Sequence, residues 1–243
     1  MNVYKINDIS DLLRGNPYVG RGIVIGKSED GEKAAVAYFI MGRSANSRNR
    51  VFTERAGEVF TEPFDSTKVV DPSLIIYPAI RQYKHHLIIT NGDQTDTVLE
   101  GLKSGKSFSD ALKIRKFEPD SPNFTPRISG IINFDYHGFD YEMSILKSAN
   151  EKGSACNRFT FSYSALAGLG HFIHTYVNDG DPLPTFVGEP ERVKIPNSAK
   201  VFADAIWNAL DSENKISLYV RYVSLSTGKQ ENILINKNAR EKR

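Results

Sequence analysis

Residues 42–50 read GRSANSRNR, which places three arginines beside two asparagines and several small residues. They follow AAVAYFIM, an apolar run that predicts a buried strand. Arginine offers a planar fork of N–H donors suited to phosphate or carboxylate oxygens, and small residues let backbone amides approach a ligand. A solvated loop is the simpler interpretation, but the position after a buried strand favours an anion site. Its candidate ligands are Arg43, Arg48 and Arg50.

A second polar stretch, TNGDQTDT, follows the apolar run HLII. Asn91-Gly92 predicts a turn, and Asp93 or Thr95 would cap the helix that follows. Exposed backbone N–H groups at a helix N-terminus also favour an anionic or polar ligand. The stretch is therefore typical of a base or ribose pocket, although the pattern alone is weakly specific.

Two further segments could position proton-transfer groups. In DPSLIIYPAIR, Tyr77 follows an apolar strand and precedes Arg81, and a phenol beside an arginine can exchange a proton. In KFEPDSPNFTPRISG, prolines stiffen the chain around Glu118 and Arg127, which suits a carboxylate that must be held in place. The simpler interpretations are a core aromatic and a rigid connector.

Other reactive side chains lack the neighbours that a site requires. His171 and His174 form an H-x-x-H pair without a third ligand at a suitable spacing, so no metal site is expected. Cys156, the single cysteine, excludes an intrachain disulfide and is predicted to be an inert buried thiol. No Walker loop is present, which argues against ATP chemistry.

The composition is that of a globular protein, 40% hydrophobic and 25% charged over 243 residues, and we expect one domain spanning 1–243. The 31 basic and 29 acidic residues are interleaved, apart from a basic tail at 237–243 that ends in AREKR. This balance argues against a nucleic-acid surface. The start MNVYKINDISDLLRG resembles no signal or transit peptide, and no apolar run approaches the ~20 residues of a membrane span. A cytoplasmic protein is expected.

Antiparallel strand pairs and helices alternate along the chain. Hairpins are predicted around SEDGEK, DYHG and STGK, and CNRFTFSYSAL reads as a further strand. QTDTVLEGLKSG and SFSDALKIRKF predict two short helices, the second capped by Ser107 or Ser109. These elements indicate an α+β domain in which helices pack on sheets.

A longer helix is predicted from Asn197 or Ser198 onward, because apolar residues recur there at helical spacing and form one stripe. The stripe consists of Val201, Phe202, Ala205, Ile206, Ala209 and Leu210. By contrast, NDGDPLPTFVGEPERVKIPNS, rich in proline and glycine, is predicted to be a surface loop.

The chain resembles the archaeal-type IMP cyclohydrolase family through an ordered set of motifs: NPYVGRGIVIG, AYFIMGRSANSRNR, DPSLIIYPAIR, ITNGDQTDT and NFTPRISGIIN. The match runs from Asn16 into the 130s and continues more loosely to the final hairpin. The resemblance implies a four-layer αββα sandwich of the N-terminal-nucleophile (Ntn) hydrolase type. It also implies a reaction, the dehydration of 5-formamidoimidazole-4-carboxamide ribotide (FAICAR) to inosine 5′-monophosphate (IMP), without metal or organic cofactor.

The resemblance assigns three residues to the reacting groups. Arg50 would stabilise the formyl oxyanion, Tyr77 would shuttle a proton, and Glu118 would orient or deprotonate the carboxamide. For nucleotide binding it implies the N-G-x-x-T-D turn and several arginines. These residues are Arg21, Arg43, Arg48, Asn91, Gly92, Asp93, Thr95, Asp96 and Arg127. Which of these arginines binds the 5′-phosphate is not determined by the sequence.

The sequence also departs from the family pattern. Residues 1–15 precede the first family strand, so a free N-terminal nucleophile is not expected. The C-terminal half lacks motifs that can be matched and is expected to contribute no site residues. Two other readings stay open: a nucleotide-binding or regulatory module without turnover, and an amidohydrolase that would need a nucleophile such as Cys156.

The implied partner is the nucleotide itself, with no nucleic acid and no membrane. A homo-oligomer and functional pairing with a separate AICAR transformylase are compatible with the resemblance, because the chain contains no recognisable transformylase part.

Overall fold

The computed structural model describes residue 2, residues 4–69 and residues 76–238. Most of the apolar run predicted as a strand before Tyr77 lies outside the described residues, as does the tail AREKR.

The described residues form short helices and longer strands. The α-helices are α1 Ile9–Leu13, α2 Ala45–Arg48, α3 Gln94–Lys103, α4 Phe108–Leu112 and α5 Ala199–Ala209, with a 3-10 helix at Ser66–Lys68. The first seven strands are β1 Arg21–Lys27, β2 Lys33–Met41, β3 Val51–Arg55, β4 Glu58–Glu62, β5 Tyr77–Tyr83, β6 His86–Thr90 and β7 Arg127–Asp135. The remaining strands are β8 Gly138–Ser148, β9 Cys156–Ser164, β10 Leu169–His174, β11 Glu191–Lys194, β12 Lys215–Ser224 and β13 Gln230–Asn236.

The strands form two antiparallel sheets. The first has six strands in the order β11-β10-β1-β2-β12-β13, and the second has seven in the order β3-β4-β5-β6-β7-β8-β9. In the first sheet, Ile23 of β1 lies between Ile173 of β10 and Tyr38 of β2. The second sheet is a meander, in which each strand pairs with its neighbour in sequence. The domain is therefore α+β, and its two sheets are compatible with a sandwich.

Side-chain alternation along the strands divides the core. On β2, Tyr38 and Ile40 belong to a buried cluster shared with the second sheet, whereas Phe39 and Met41 face the opposite side. That opposite side is covered by α1 and α5 through Leu13, Phe202 and other apolar residues. A strand with both faces buried needs apolar residues at successive positions, which explains the unbroken run AAVAYFIM.

Helices α3 and α4 cover the outer face of the second sheet. Val98 and Phe108 pack there against Ile88 of β6 and Ile131 of β7. Ser107 caps α4, since its hydroxyl accepts the backbone N–H of Asp110. This selects one of the two predicted caps, although the helix ends at Leu112, short of the predicted stretch.

The predicted hairpins β1–β2, β7–β8 and β12–β13 are confirmed, and so is strand β9. Three other predictions are wrong. Val201, assigned to the apolar stripe of α5, is 57% exposed, because the buried face runs through Ala199, Phe202 and Ile206. The segment predicted as a loop after residue 177 contains β11. Cys156 is only half-buried, because it begins the edge strand β9.

His171 and His174 lie on β10, which is buried along its length. The Nδ1 atom of His171 lies 2.7 Å from the Tyr141 hydroxyl, and Nδ1 of His174 lies 2.7 Å from the carbonyl oxygen of Tyr176. Burial lowers the pKa of each histidine to about 4. Both are therefore neutral core residues at physiological pH. No α-helix among the described residues is long and apolar enough to cross a membrane.

Candidate functional site

A cavity of about 410 Å³ opens where β1 begins and where β2 and β10 end. Its volume is in the range of small-molecule sites. The wall combines charged, hydroxyl, amide and aromatic side chains from both halves of the chain. They are Tyr18, Arg21, Arg43, Ser44, Asn46, Ser47, Arg50, Glu118, Asp120, Asn123, Thr125, Tyr176 and Leu183.

Arg21 reaches the cavity from the first position of β1. Its backbone N–H donates to the hydroxyl of Thr175 at 3.1 Å, which ties the start of β1 to the end of β10. The preceding residue, Gly20, has φ +76°, and a Cβ placed on it would lie 2.1 Å from Thr175 Oγ1. Only glycine fits this close, left-handed approach.

We expect Gly20→Ala to destabilise the protein by about 2–4 kcal/mol, combining the left-handed backbone cost with overpacking. Gly15→Ala is the matched control, because Gly15 has φ +78° but nothing within 4 Å of the added Cβ. It should cost only about 1–2 kcal/mol. Urea unfolding of both variants measures the difference, and equal losses would contradict the close approach at Gly20.

Arg50 is positioned by the segment predicted as a loop. This segment contains the single-turn helix α2, with a capping box between Ser44 and Ser47. Asn49 then anchors the chain by exchanging two hydrogen bonds of 2.8 Å with the backbone of Asp65. The anchor fixes Arg50 immediately before β3, with its guanidinium at the cavity wall.

Glu118 lies on the stiff segment that leads into β7. Its backbone N–H donates to the carbonyl oxygen of Thr125 at 2.9 Å, and the N–H of Thr125 donates to Asp120 Oδ1 at 2.7 Å. These bonds close the segment on itself, so the carboxylate is presented by ordered backbone. This agrees with the interpretation of the proline-rich stretch as a rigid support.

Arg21, Arg50 and Glu118 are only 7%, 7% and 8% exposed. Burial lowers the pKa of Arg50, and the neighbouring Arg21 cation lowers it further. Burial is the largest single effect on Arg21 and acts to lower its pKa, but Tyr18, Glu118, Tyr176 and Tyr77 together raise it by more, so the net shift is upward. Burial raises the pKa of Glu118, although Arg21 and Arg127 oppose that shift.

Each of the two buried arginines has an unpaired N–H donor. The Nε atoms of Arg21 and Arg50 are buried and have no hydrogen-bond partner among the described residues. The buried charged groups are two guanidiniums and one carboxylate, Glu118, and the partly buried Asp120 adds a second carboxylate to the lining. Such a site favours an anionic or strongly polar ligand that satisfies these donors.

Tyr77 does not line the cavity. It begins β5 and is 2% exposed, with its hydroxyl 3.0 Å from that of Tyr38. Its electrostatic partners are Arg21 and Arg50. Arg81, the arginine close to it in sequence, instead forms an ion pair with Asp96 at 2.8 Å.

The remaining arginines of the 42–50 segment separate into two roles. Arg43 lines the cavity, forms an ion pair with Asp179 and lies over the ring of Tyr18, with its Cζ atom 5.2 Å from the ring centroid. Arg48 lies outside the lining and donates to the carbonyl of Gly42 and to Asn214. Arg48 therefore supports the segment internally.

The N-G-x-x-T-D turn also lies outside the cavity lining. The Asn91 amide bonds the backbone of Pro126 and Ile128, and the hydroxyl of Thr95 lies 2.6 Å from that of Thr90. Asp93 occupies the N-cap position of α3 without a side-chain cap bond, contrary to the expected cap.

The two aspartates of the turn form ion pairs with arginines outside it. Asp93 pairs with Arg127 at 2.7 Å and also with Arg115, while Asp96 pairs with Arg81. Arg127 connects the turn to the cavity electrostatically, because its charge acts on Glu118. Gly92 lies against the Arg127 guanidinium, where an added Cβ would be 2.5 Å from Nη1.

The expectation that the C-terminal half contributes no site residues is wrong. Tyr176 and Leu183 line the cavity, and Asp179 binds Arg43. They lie in the loop after β10, which has no periodic pattern or recognisable motif. Tyr18 and Thr125 were equally unassigned, although they lie within the motifs NPYVGRG and NFTPR.

Comparison with known proteins gives a family match that includes all of these cavity residues. The model of the family described as IMP cyclohydrolase-like protein matches residues 18–229. The chain belongs to this family.

Individual relatives match the IMP cyclohydrolase-like chain over shorter ranges. A protein named IMP cyclohydrolase from Methanopyrus kandleri is 37% identical over 116 residues, covering 46% of this chain and 57% of its own length. One from Methanothrix thermoacetophila is 32% identical over 120 residues, 48% of this chain and 58% of its own. One from Methanococcus maripaludis strain S2 is 30% identical over 147 residues, covering 57% of this chain and 71% of its own length. The chain thus spans less than two thirds of the length of the first two relatives.

Within the part of this IMP cyclohydrolase-like chain that the structure describes, no group of three or more histidine, cysteine, aspartate or glutamate side chains is arranged to hold a metal ion. The chemical groups that the cavity does offer are guanidinium donors, two carboxylates, side-chain amides and hydroxyls. These suit hydrogen bonding and proton transfer on a polar organic ligand.

Proposed function

We propose that the protein is an IMP cyclohydrolase that converts FAICAR to IMP and water in purine biosynthesis. The observation that carries this proposal is the convergence of Arg21, Arg50 and Glu118, all buried, on one cavity of nucleotide-compatible size. Membership of the IMP cyclohydrolase-like family and the names of the archaeal relatives support the same reaction.

Ring closure joins the carboxamide nitrogen of the substrate to its formyl carbon. The carboxamide nitrogen loses one proton as the new C–N bond forms, and the formamide nitrogen loses another. The formyl oxygen gains both protons and leaves as water. Neither group is reactive without help, so most of the acceleration should come from holding the two groups in near-attack geometry. The protein must also stabilise negative charge on the formyl oxygen and exchange protons at both ends.

The site residues suit these tasks. Arg50 lines the cavity, and its guanidinium would stabilise the formyl oxyanion. Glu118 would orient or deprotonate the carboxamide, and the burial that raises its pKa brings it closer to neutral pH, where proton exchange is efficient. Arg21 would hold the polar groups of the imidazole carboxamide beside them.

Tyr77 would shuttle the proton between the two reacting groups, acting with Tyr38 from its position beside the arginines. We expect Tyr77→Phe to lower kcat for ring closure by about 10²–10⁴-fold, the usual range for a general acid–base group. Tyr83→Phe, at the other end of β5, is the control. Full turnover by Tyr77→Phe would exclude the shuttle role.

Arg43 is the proposed ligand of the 5′-phosphate. It lines the cavity together with Ser44 and Ser47, whereas Arg48 and Arg127 lie outside the lining. Its ion pair with Asp179 holds the guanidinium in place when no phosphate is bound. If the Arg43 guanidinium binds the phosphate, the base of the nucleotide would contact the buried residues Arg21, Arg50 and Glu118.

We expect Arg43→Ala to weaken IMP binding at least about tenfold, since a hydrogen bond to a charged group contributes about 1.5–3 kcal/mol. Affinity for the nucleoside inosine, which has no phosphate, should change little. Arg55→Ala removes the same charge from an exposed site and is the control. Equal losses for IMP and inosine would place the phosphate elsewhere.

The direct test of the proposal is ring closure by the purified wild-type protein. Turnover above the uncatalysed rate supports the cyclohydrolase, and IMP binding without turnover would instead indicate a nucleotide-binding module.

Several broader features belong to the same proposal. The two sheets with helices on their outer faces would be a four-layer αββα sandwich of the Ntn-hydrolase type. The N-G-x-x-T-D turn would support the site through Arg127. A cytoplasmic location, a homo-oligomer and pairing with a separate AICAR transformylase would fit a biosynthetic enzyme of this kind.

A further inference from the structure

Three cavity residues form a continuous hydrogen-bonded chain that the roles above do not use. The hydroxyl of Tyr176 lies 2.7 Å from that of Thr125, and the Thr125 hydroxyl bonds Asp120 Oδ2. The backbone N–H of Thr125 donates to the other carboxylate oxygen, Oδ1, at 2.7 Å. All three side chains line the cavity.

The carboxylate fixes the direction of this chain. An ionised Asp120 can only accept hydrogen bonds, so the Thr125 hydroxyl must donate to it. Because the single hydroxyl proton of Thr125 is then used, Thr125 can only accept from Tyr176. Tyr176 therefore donates its own proton to Thr125 and has only oxygen lone pairs to offer the cavity.

Tyr176 is held firmly in this arrangement. It is 1% exposed, its ring stacks on Tyr18 with centroids 5.8 Å apart, and its backbone N–H donates to Val19. Burial raises the pKa of Tyr176, so the phenol stays protonated across the physiological range. Arg21, which acts on it electrostatically, is a pure donor. The cavity wall therefore combines a hydrogen-bond acceptor, the Tyr176 hydroxyl oxygen, with a hydrogen-bond donor, the Arg21 guanidinium.

We propose that Tyr176 is a specificity-determining acceptor, which selects ligands that present an N–H or O–H donor to its hydroxyl oxygen. Thr125 and Asp120 are positioning residues that hold the Tyr176 proton away from the ligand. This inference rests on the proposed function. With a purine ribotide bound, the donor is the N1–H of IMP, formed from the substrate carboxamide nitrogen, or a ribose hydroxyl.

Comparing IMP with AMP and with 2′-deoxy-IMP distinguishes the base N1–H from a ribose hydroxyl as the donor. AMP carries a lone pair at N1 where IMP carries a proton, and 2′-deoxy-IMP lacks one ribose hydroxyl. Thr125→Val removes the acceptor for the Tyr176 proton, which then becomes free to turn toward the ligand. Thr125→Ser keeps the hydroxyl and is the matched control, and Asp120→Asn disturbs the chain from its other end.

The experiment is calorimetric titration of wild type and the three variants with IMP, AMP and 2′-deoxy-IMP, together with ring-closure rates. We expect Thr125→Val to reduce the preference for IMP over AMP about tenfold, the value of one hydrogen bond of about 1.4 kcal/mol. Asp120→Asn should reduce it in the same direction, and Thr125→Ser should preserve it. A reduced preference for IMP over 2′-deoxy-IMP instead would support the proposal with a ribose hydroxyl as donor.

Two results would overturn the inference, and they are distinguishable. If Thr125→Val and Asp120→Asn bind IMP and retain both wild-type preferences, the acceptor role of Tyr176 is wrong while the proposed function stands. If wild type neither binds IMP nor closes the ring, the proposed function fails and the inference fails with it.

Discussion

Replacement of Arg50 by methionine is expected to lower kcat for ring closure by about 10²–10³-fold, the loss seen when one oxyanion donor is removed from a preorganised site. Arg50 is buried beside Arg21, and its Nε has no partner among the described residues. Arg50 lines the cavity, where its guanidinium charge can stabilise the negative charge that develops on the formyl oxygen. The expected loss therefore falls mainly on kcat and less on IMP affinity.

The same substitution should leave the protein as stable or make it more stable. Burial and the Arg21 cation both lower the pKa of Arg50, so the folded state holds this charge at a cost. Methionine has a similar volume and removes that cost, which should raise Tm by about 2–4 °C for each kcal/mol recovered. Arg55→Met on the exposed end of β3 is the control. A variant with unchanged kcat would contradict the oxyanion role.

Glu118→Gln is expected to lower kcat by about 10²–10⁴-fold, because an amide neither accepts the carboxamide proton nor returns it. The wild-type kcat/KM should also fall on the acid side as Glu118 becomes protonated. Since burial raises its pKa, this limb should lie at higher pH than for an ordinary glutamate. The variant should lack the limb. Glu100→Gln, on the exposed side of α3, serves as the control and should keep the wild-type profile.

The contribution of Glu118 to the free energy of unfolding should depend on pH in the direction opposite to its effect on activity. A carboxyl whose pKa is higher in the folded state binds protons more tightly there, so its contribution is largest at low pH. That contribution is lost as the pH rises through the folded pKa. We expect the unfolding free energy of Glu118→Gln not to show this decrease. Urea unfolding of wild type and variant at acid and at neutral pH measures the difference. An identical pH dependence in wild type and variant would show that Glu118 is not perturbed.

Local patterns predicted the elements that support the site. The Asp-Gly turn signal and the apolar run AAVAYFIM predicted β1 and β2, whose ends carry Arg21 and the 42–50 segment. Arg21, Arg50 and Glu118 were assigned through the resemblance, and the structure brings them to one cavity. Arg21 begins β1 and Arg50 immediately precedes β3, whereas Glu118 lies in the proline-rich segment between α4 and β7.

The rest of the cavity depends on pairings that are distant in sequence. Tyr176 reaches it because β10 pairs with β1 in a register that sets His174 opposite Gly22, and no local pattern encodes that register. The residue type alone does not distinguish a side chain that contacts a ligand from one that forms internal hydrogen bonds. Asn91 has the chemistry of a ligand contact, yet its amide bonds the backbone of Pro126 and Ile128.

The most direct test of the proposed reaction is the rate of IMP formation from FAICAR, followed by ultraviolet absorbance with purified wild-type protein and with Arg50→Met at the same concentration. A cyclohydrolase should give a wild-type rate that is proportional to protein concentration and well above the uncatalysed rate, and the variant should close the ring about 10²–10³-fold more slowly. Tight IMP binding by a wild-type protein that leaves the uncatalysed rate unchanged would contradict the proposed reaction. The cavity would then be a nucleotide-binding site without ring-closing chemistry.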